Sequence, residues 1–235
     1  IVGFHLCTRL LEDGIFVVGI HDNKTNENVR EEMLFSIGRN ANFQYRDFVM
    51  EEDFEATDLF FHVSDEPTPM SQLERMITFC DRYDVPIVYL SSVEVYGNGT
   101  NMTEDSPLQP VTPLGKWRKQ EELLLRSAFK NDKRKLLIFR IPSIYGPWQN
   151  QHDELHKIIY AHIKKNSSEK LEEELVKQSY SKKYLYVSDV VDVMIDAINH
   201  GEYYGEIFNL SADEAVSSEK AKKWLKFQSK YSFSL

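Results

Sequence analysis

Apolar positions along this chain fall into short unbroken runs, separated by stretches with helical spacing. "IFVVGI", residues 15–20, is one such run, and continuous apolarity over that length suits a strand covered on both faces. "VPIVYLSS" and "RKLLIFRIP" read the same way, β-branched and aromatic residues dominating, with Pro142 closing the second. "NFQYRDF", "DLFFHVS", "KKYLYVS" and "GEIFNLS" are shorter strand candidates. Between them, "CTRLLEDG" has helical spacing and stops at Gly14, a natural helix end. "MSQLERMITFCDRYD" puts Met70, Leu73, Met76, Ile77 and Cys80 on one helical face. "KWRKQEELLLRSAF", "HDELHKIIYAHIKK", "DVVDVMIDAIN" and "SSEKAKKWLKF" are further helices, and "KTNENVREE" is a polar stretch without a predicted element.

Strands alternate with helices, and the strands are apolar throughout. That combination predicts an α/β fold, a doubly wound parallel sheet covered by helices on both faces. In such sheets ligands collect at the carboxyl ends of the strands. "HDN", "HVSDE", "SSVEVYG" and "PSIYGP" all follow strands, so chemistry is expected there. Residues 1–150 are expected to form the main domain; 151–235 are expected to mix a small substrate lobe with elements returning to it.

The 235-residue length is enough for this plan. A formal net charge of −9 argues against general nucleic-acid binding, which needs many cations against phosphates. Cys7 and Cys80 sit in apolar helical contexts and read as core residues instead of a disulfide. No apolar run reaches the roughly 20 residues of a membrane span, and no signal-peptide pattern is found, so a cytoplasmic protein without membrane partners is expected. The chain opens on "IVGFHL" without Met, which leads us to expect residues upstream. His152 and His156 are four apart in "HDELH", with His162 beyond. No clear third ligand accompanies them, so the reading is a solvated amphipathic helix and no metal site.

Taken in order, these segments resemble the extended short-chain dehydrogenase/reductase family, in its nucleotide-sugar epimerase/dehydratase branch. "VYLSSVEVYG" is similar to the family's "VYLSSSSVYG", "FRIPSIYGP" to "LRYFNVYGP", and "GEIFNLSADE" to "GEVYNIGSGE". "KKYLYVSDVVDVMIDAI" is similar to "RDFVYVDDVAEAILLAL", and "GFHLCTRLLEDG" to the helix after the dinucleotide-binding turn. The resemblance implies a Rossmann-type fold, NAD as cofactor and a nucleotide-sugar substrate between the main domain and the small lobe. Of the family's three turn glycines only the last is present, as Gly3. By count from Gly14 the acidic position that holds the adenosine ribose falls on His21; Asp22, one further and followed by Asn23, is taken as its match through a small shift of the strand end, while His21 in that slot would weaken NAD binding. Asp47 and Phe48 resemble the residues flanking adenine, and Val63 and Ser64 the backbone under the pyrophosphate. Ser91, Arg118 and Pro142 complete the implied cofactor set. Ser92, Glu94, Arg140 and Lys182 make up the implied substrate side.

The catalytic helix carries the main departure. In "TPLGKWRKQEELLL", Leu114 matches the family's proton-transferring tyrosine and Arg118 the lysine four residues on. Leucine carries no proton, and arginine is a bulkier, fork-shaped cation than lysine. Losing a positioned acid/base typically costs about 10²–10⁴ in rate. Two readings therefore stand open. One is hydride transfer at a sugar carbon, with Ser92 on the oxygen, Arg118 on the nicotinamide ribose, and proton transfer moved to Tyr96 or Glu94. The other is a pseudoenzyme scaffold that keeps the fold and binds NAD or a nucleotide sugar. A simple NADP-dependent reductase, with Lys24 as the basic residue, has thinner support. A homodimer through "ITFCDRY" and "QEELLLRSAF" is a further expectation from the family.

Overall fold

The computed structural model describes residues 1–20, 27–47, 50–99, 102–149 and 184–211. The chain forms two compact units, Ile1–Ile141 with Ser188–Leu210, and Pro142–Val187 with Ser211–Leu235. The first unit thus takes in β5, which ends at Ile141, together with Ser188–Leu210 from later in the chain.

In the first unit, α1 (Val2–Glu12) buries Val2, Leu6, Leu10 and Leu11. It ends because Gly14 takes φ +76°, so the Gly14 and Ile15 N–H groups turn back onto the Leu11 and Leu10 carbonyls at 3.0 Å each. β1 (Val17–Ile20) then pairs in parallel with β2 (Phe43–Arg46). Between them lies α2 (Glu27–Ile37), where the sequence offered only a polar stretch. Its Glu, Arg, Met and Leu content favours a helix even where an apolar stripe is weak.

The rest of the unit is built on β3 (Phe60–His62), α3 (Met70–Arg82), β4 (Ile87–Ser92), α4 (Pro113–Ala128) and β5 (Leu136–Ile141). The second unit holds a parallel pair, β6 (Ser143–Tyr145) and β7 (Tyr184–Tyr186). The chain then returns through α5 (Val187–Ile198) to β8 (Ile207–Asn209). The strand order is β3-β4-β5-β8, every neighbour parallel. Among the described residues the β1–β2 pair is a separate ladder from this sheet.

Every residue of β4 and β5 is buried, as the continuous apolar runs require of central strands. α3 contributes Leu73, Met76 and Cys80 to the core beside Ile87 and Tyr89 of β4 and Leu125 of α4. Burying each aliphatic side chain of this size is worth about 1.5–3 kcal/mol. Both cysteines are free thiols. No helix among the described residues is long and apolar enough to cross a membrane.

Candidate functional site

β4 runs out at Ser92 into a 3-10 turn, Val93–Tyr96. Ser92 caps that turn, its Oγ accepting the Glu94 N–H at 3.2 Å. α4 begins against the same turn. Its N-cap is Thr112, whose Oγ1 accepts the Gly115 N–H at 3.0 Å and donates to Oε2 of Glu94. Pro113 follows in the first turn, where its missing N–H costs nothing. Gly115 permits the approach of helix to turn: a Cβ there would lie 2.3 Å from the Glu94 carbonyl oxygen and 2.9 Å from Cβ of Pro110. Leu114, half-buried, lies in the first turn of α4 between Pro113 and Gly115.

Further along α4, two consecutive glutamates tie the helix to the sheet. Residues one apart on a helix diverge by about 100°, so the two carboxylates reach different strands. Glu122 takes the Arg140 guanidinium of β5 in a fork, Nε to Oε1 at 3.0 Å and Nη2 to Oε2 at 2.6 Å. It also accepts the Ser91 hydroxyl of β4. Both partners of the ion pair are 0% exposed. Arg140 Nη1 continues to the Tyr96 hydroxyl and to the Glu104 carbonyl at 3.1 Å. The Tyr96 hydroxyl in turn donates to Oδ1 of Asn209 at 2.8 Å.

Glu121 faces the β3 side. Its Oε2 accepts the Tyr89 hydroxyl at 2.6 Å, and its Oε1 accepts the Thr68 N–H at 3.3 Å and lies 3.9 Å from Nε2 of His62. The His62 ring stacks on Tyr89 at 5.6 Å. Burial pushes the Glu121 carboxyl up, but the neighbouring His62 and the bond from the Tyr89 hydroxyl outweigh it and hold the group at about 2, below its ordinary 4.5. The folded state therefore prefers the carboxylate more than the unfolded chain does. That contribution is complete above pH 4.5 and is lost as pH falls towards about 2. Glu121→Gln is expected to flatten the acid limb of stability across this interval, read from urea midpoints at stepped pH. A slope equal to that of the unsubstituted chain would show that the carboxyl titrates alike folded and unfolded.

Several expected site residues take different positions in the structure. Arg118 is turned inward and is 6% exposed. Its Nη2 donates to the Ser64 carbonyl, its Nη1 reaches Tyr89 and Glu121 at 3.4 Å each, and its guanidinium lies 4.1 Å from the Trp117 ring centroid. Arg140 is an internal strut and not a surface cation for a diphosphate, because both ends of its fork are spent on Glu122 and Nη1 on Tyr96. The Ser91 side chain is likewise spent on Glu122. Tyr96 belongs to this interior network, so of the two candidates for relocated proton transfer its hydroxyl is the committed one. Val63 and Ser64 leave β3 at its carboxyl end as expected, half-buried, with the Ser64 hydroxyl on the Glu66 carbonyl at 2.6 Å. Asp47 is exposed just after β2. Gly3 lies inside α1, and a Cβ there would meet nothing within 4 Å. Pro142 opens the second unit. Asp22, Asn23, Phe48, Lys182 and the histidines 152, 156 and 162 lie outside the described residues.

The sequence reading missed the Glu121 cluster and the bond that the capping residue Thr112 donates to Glu94. His62 and Glu121 are 59 positions apart, and nothing in local spacing joins them. Thr112 was legible: a threonine directly before a proline and a helical run is a standard start signal.

Comparison with known proteins bears on the same region. The model of the NAD dependent epimerase/dehydratase family matches residues 70–211, from the start of α3 to the end of the described chain. An uncharacterized UDP-glucose epimerase of Bacillus subtilis (strain 168) is 23% identical over 241 residues, covering 92% of this chain and 75% of the relative. A dTDP-D-glucose 4,6-dehydratase of Mus musculus is 27% identical over 140 residues, covering 59% of this chain and 38% of its own length. The chain thus spans three quarters of the first relative and under two fifths of the second. Among solved structures, the UDP-glucuronic acid 4-epimerase from Bacillus cereus in complex with NAD superposes with a TM-score of 0.83 at 20% identity, covering 98% of this chain and 81% of that one. The dTDP-glucose 4,6-dehydratase from Bacillus anthracis, also in complex with NAD, gives 0.78 at 14% identity, with 99% and 79% coverage. At such identities the superpositions establish the Rossmann-type fold. With the family model matching well over half of the chain, the chain belongs to the NAD-dependent epimerase/dehydratase family.

Proposed function

We propose that this protein moves a hydride between a nucleotide-sugar carbon and NAD, with Ser92 hydrogen-bonding the sugar oxygen and Glu94 exchanging the hydroxyl proton. The observation that carries this reading is the Glu94 carboxylate, held by Thr112 at the N-terminus of α4, two residues before Leu114 in the chain. Ser92 has its hydroxyl proton to offer a substrate oxygen, since among the described residues its Oγ only accepts, from the Glu94 N–H.

The family is NAD-dependent, and the residues present fit that dinucleotide. Nε of Arg118 is a buried donor with no partner among the described residues, at the carboxyl end of β3 where an oxygen acceptor of the cofactor is expected. The Val63–Ser64 backbone and Arg118 would hold it there, with Asp22, Asn23, Asp47, Phe48, Ser91 and Pro142 the remaining candidates. When bound, the nicotinamide ring supplies the hydride acceptor and donor. The Bacillus cereus epimerase has been solved with UDP-glucuronic acid and a related structure with UDP-glucose, which makes a nucleoside-diphosphate sugar the substrate class to try, with Lys182 on its phosphate side. A cytoplasmic location and a homodimer through α3 and α4 belong to the same proposal; Leu123 of α4 is an exposed apolar residue on that face.

A second reading, a binding scaffold without turnover, is favoured by Leu114 and by the inward turn of Arg118. The two separate in one experiment. The chain is incubated with NAD and UDP-glucose, UDP-glucuronic acid or dTDP-glucose, and products are followed by chromatography and proton NMR. Conversion of one sugar supports the enzyme; tight NAD binding with every sugar returned unchanged supports the scaffold.

A further inference from the structure

Thr112 joins the two elements that shape this site, and it does so with a single atom. Its Oγ1 accepts the Gly115 N–H at 3.0 Å, capping α4, and donates its only proton to Oε2 of Glu94. A hydroxyl has one proton and two lone pairs, so both bonds form at once. The rest of Glu94 is fixed as well. Its N–H is on Ser92 Oγ at 3.2 Å. Its carbonyl lies so close to Gly115 that no side chain fits between them, an added Cβ coming within 2.3 Å. Backbone and carboxylate are therefore set by three neighbouring residues, and the carboxylate rests against the first turn of a 16-residue helix, where negative charge is favoured.

We propose that Thr112 is a positioning residue, its hydroxyl proton aiming the Glu94 carboxylate at the space beside residue 114. This deepens the reading of Glu94 as the proton acceptor and rests on it. One oxygen is held by Thr112 while the other remains an acceptor for a substrate hydroxyl. A cap alone does not need that proton. Asn, Asp and Ser all cap a helix by accepting, and glycine at this position weakens a helix far less than alanine does. A hydroxyl accepts from the helix and gives its proton to the acid through one atom.

The test compares Thr112→Gly with Thr112→Ser in the whole chain. Selective 13C labelling of glutamate follows the Glu94 carboxyl resonance at neutral pH, and kcat and KM are measured on whichever nucleotide sugar is converted. In Thr112→Gly the resonance is expected to move and kcat to fall about 10- to 100-fold with KM within about twofold, the size of effect a misplaced catalytic group produces. Thr112→Ser is expected to restore both. An unmoved resonance in the glycine variant overturns the proposal, leaving Thr112 a cap only. If no sugar is converted by any variant, the reading of Glu94 as proton acceptor fails by itself, while the resonance still decides whether Thr112 holds the carboxylate.

Discussion

Glu94→Gln is expected to lower kcat on a nucleotide sugar by about 10²–10⁴-fold, the usual loss when a positioned acid/base is removed. Glutamine keeps the shape of the side chain and an oxygen that accepts the Thr112 proton, so the capped start of α4 and the Gly115 contact survive. What it lacks is the ability to take a proton. Stability should therefore stay within about 0.5 kcal/mol, as for a half-exposed residue whose local bonds are retained. Steady-state kinetics beside urea unfolding separate the two effects. A glutamine variant with the rate of the parent would move proton transfer to another group. Tyr96 is poorly placed to inherit it, because its hydroxyl both donates to Asn209 and accepts from Arg140.

Glu122→Leu is expected to cost about 3–5 kcal/mol of folding free energy, the penalty for leaving a buried charge without its partner. The Arg140 guanidinium is 0% exposed, and water cannot replace the lost carboxylate without opening the sheet. Adding Arg140→Met should return much of the loss, since a buried pair replaced by apolar groups of like volume is often neutral. Full recovery is not expected: Ser91 and Tyr96 each lose a partner on this network. Urea unfolding of the two single variants and the double variant closes the cycle and isolates the pair. A single Glu122→Leu variant within about 1 kcal/mol of the parent would mean that the pair is solvated in solution.

Most of the fold was legible because central parallel strands are apolar on both faces. β4 and β5 stand where "VPIVYLSS" and "RKLLIFRIP" predicted them. α2 was not legible, since its residues carry propensity without a clear stripe, and the pattern of apolar positions was the signal being read. The site was legible as positions and not as contacts. The resemblance placed Ser92, Leu114 and Arg118 in register with a known catalytic pattern. It gave no warning that Arg118 and Arg140 point inward, because a side chain's direction depends on partners far along the chain. Arg118 bonds the Ser64 carbonyl 54 residues away, and Arg140 meets Tyr96 across 44. A lone arginine in an otherwise apolar strand was the available hint, since an unpaired cation does not survive there.

The two adjacent glutamates of α4 have a consequence for residue 114. They anchor the helix to β4 and the segment after β3 on one side and to β4 and β5 on the other, so the helix can neither roll nor slide without breaking one anchor. Leu114 plays no part in that fastening. Its Cα is held in place whatever side chain it bears, much as a socket is held whatever tool it receives. Position 114 is accordingly a seat whose backbone other residues hold, and exchange of its side chain is expected to leave the fastened helix where it stands.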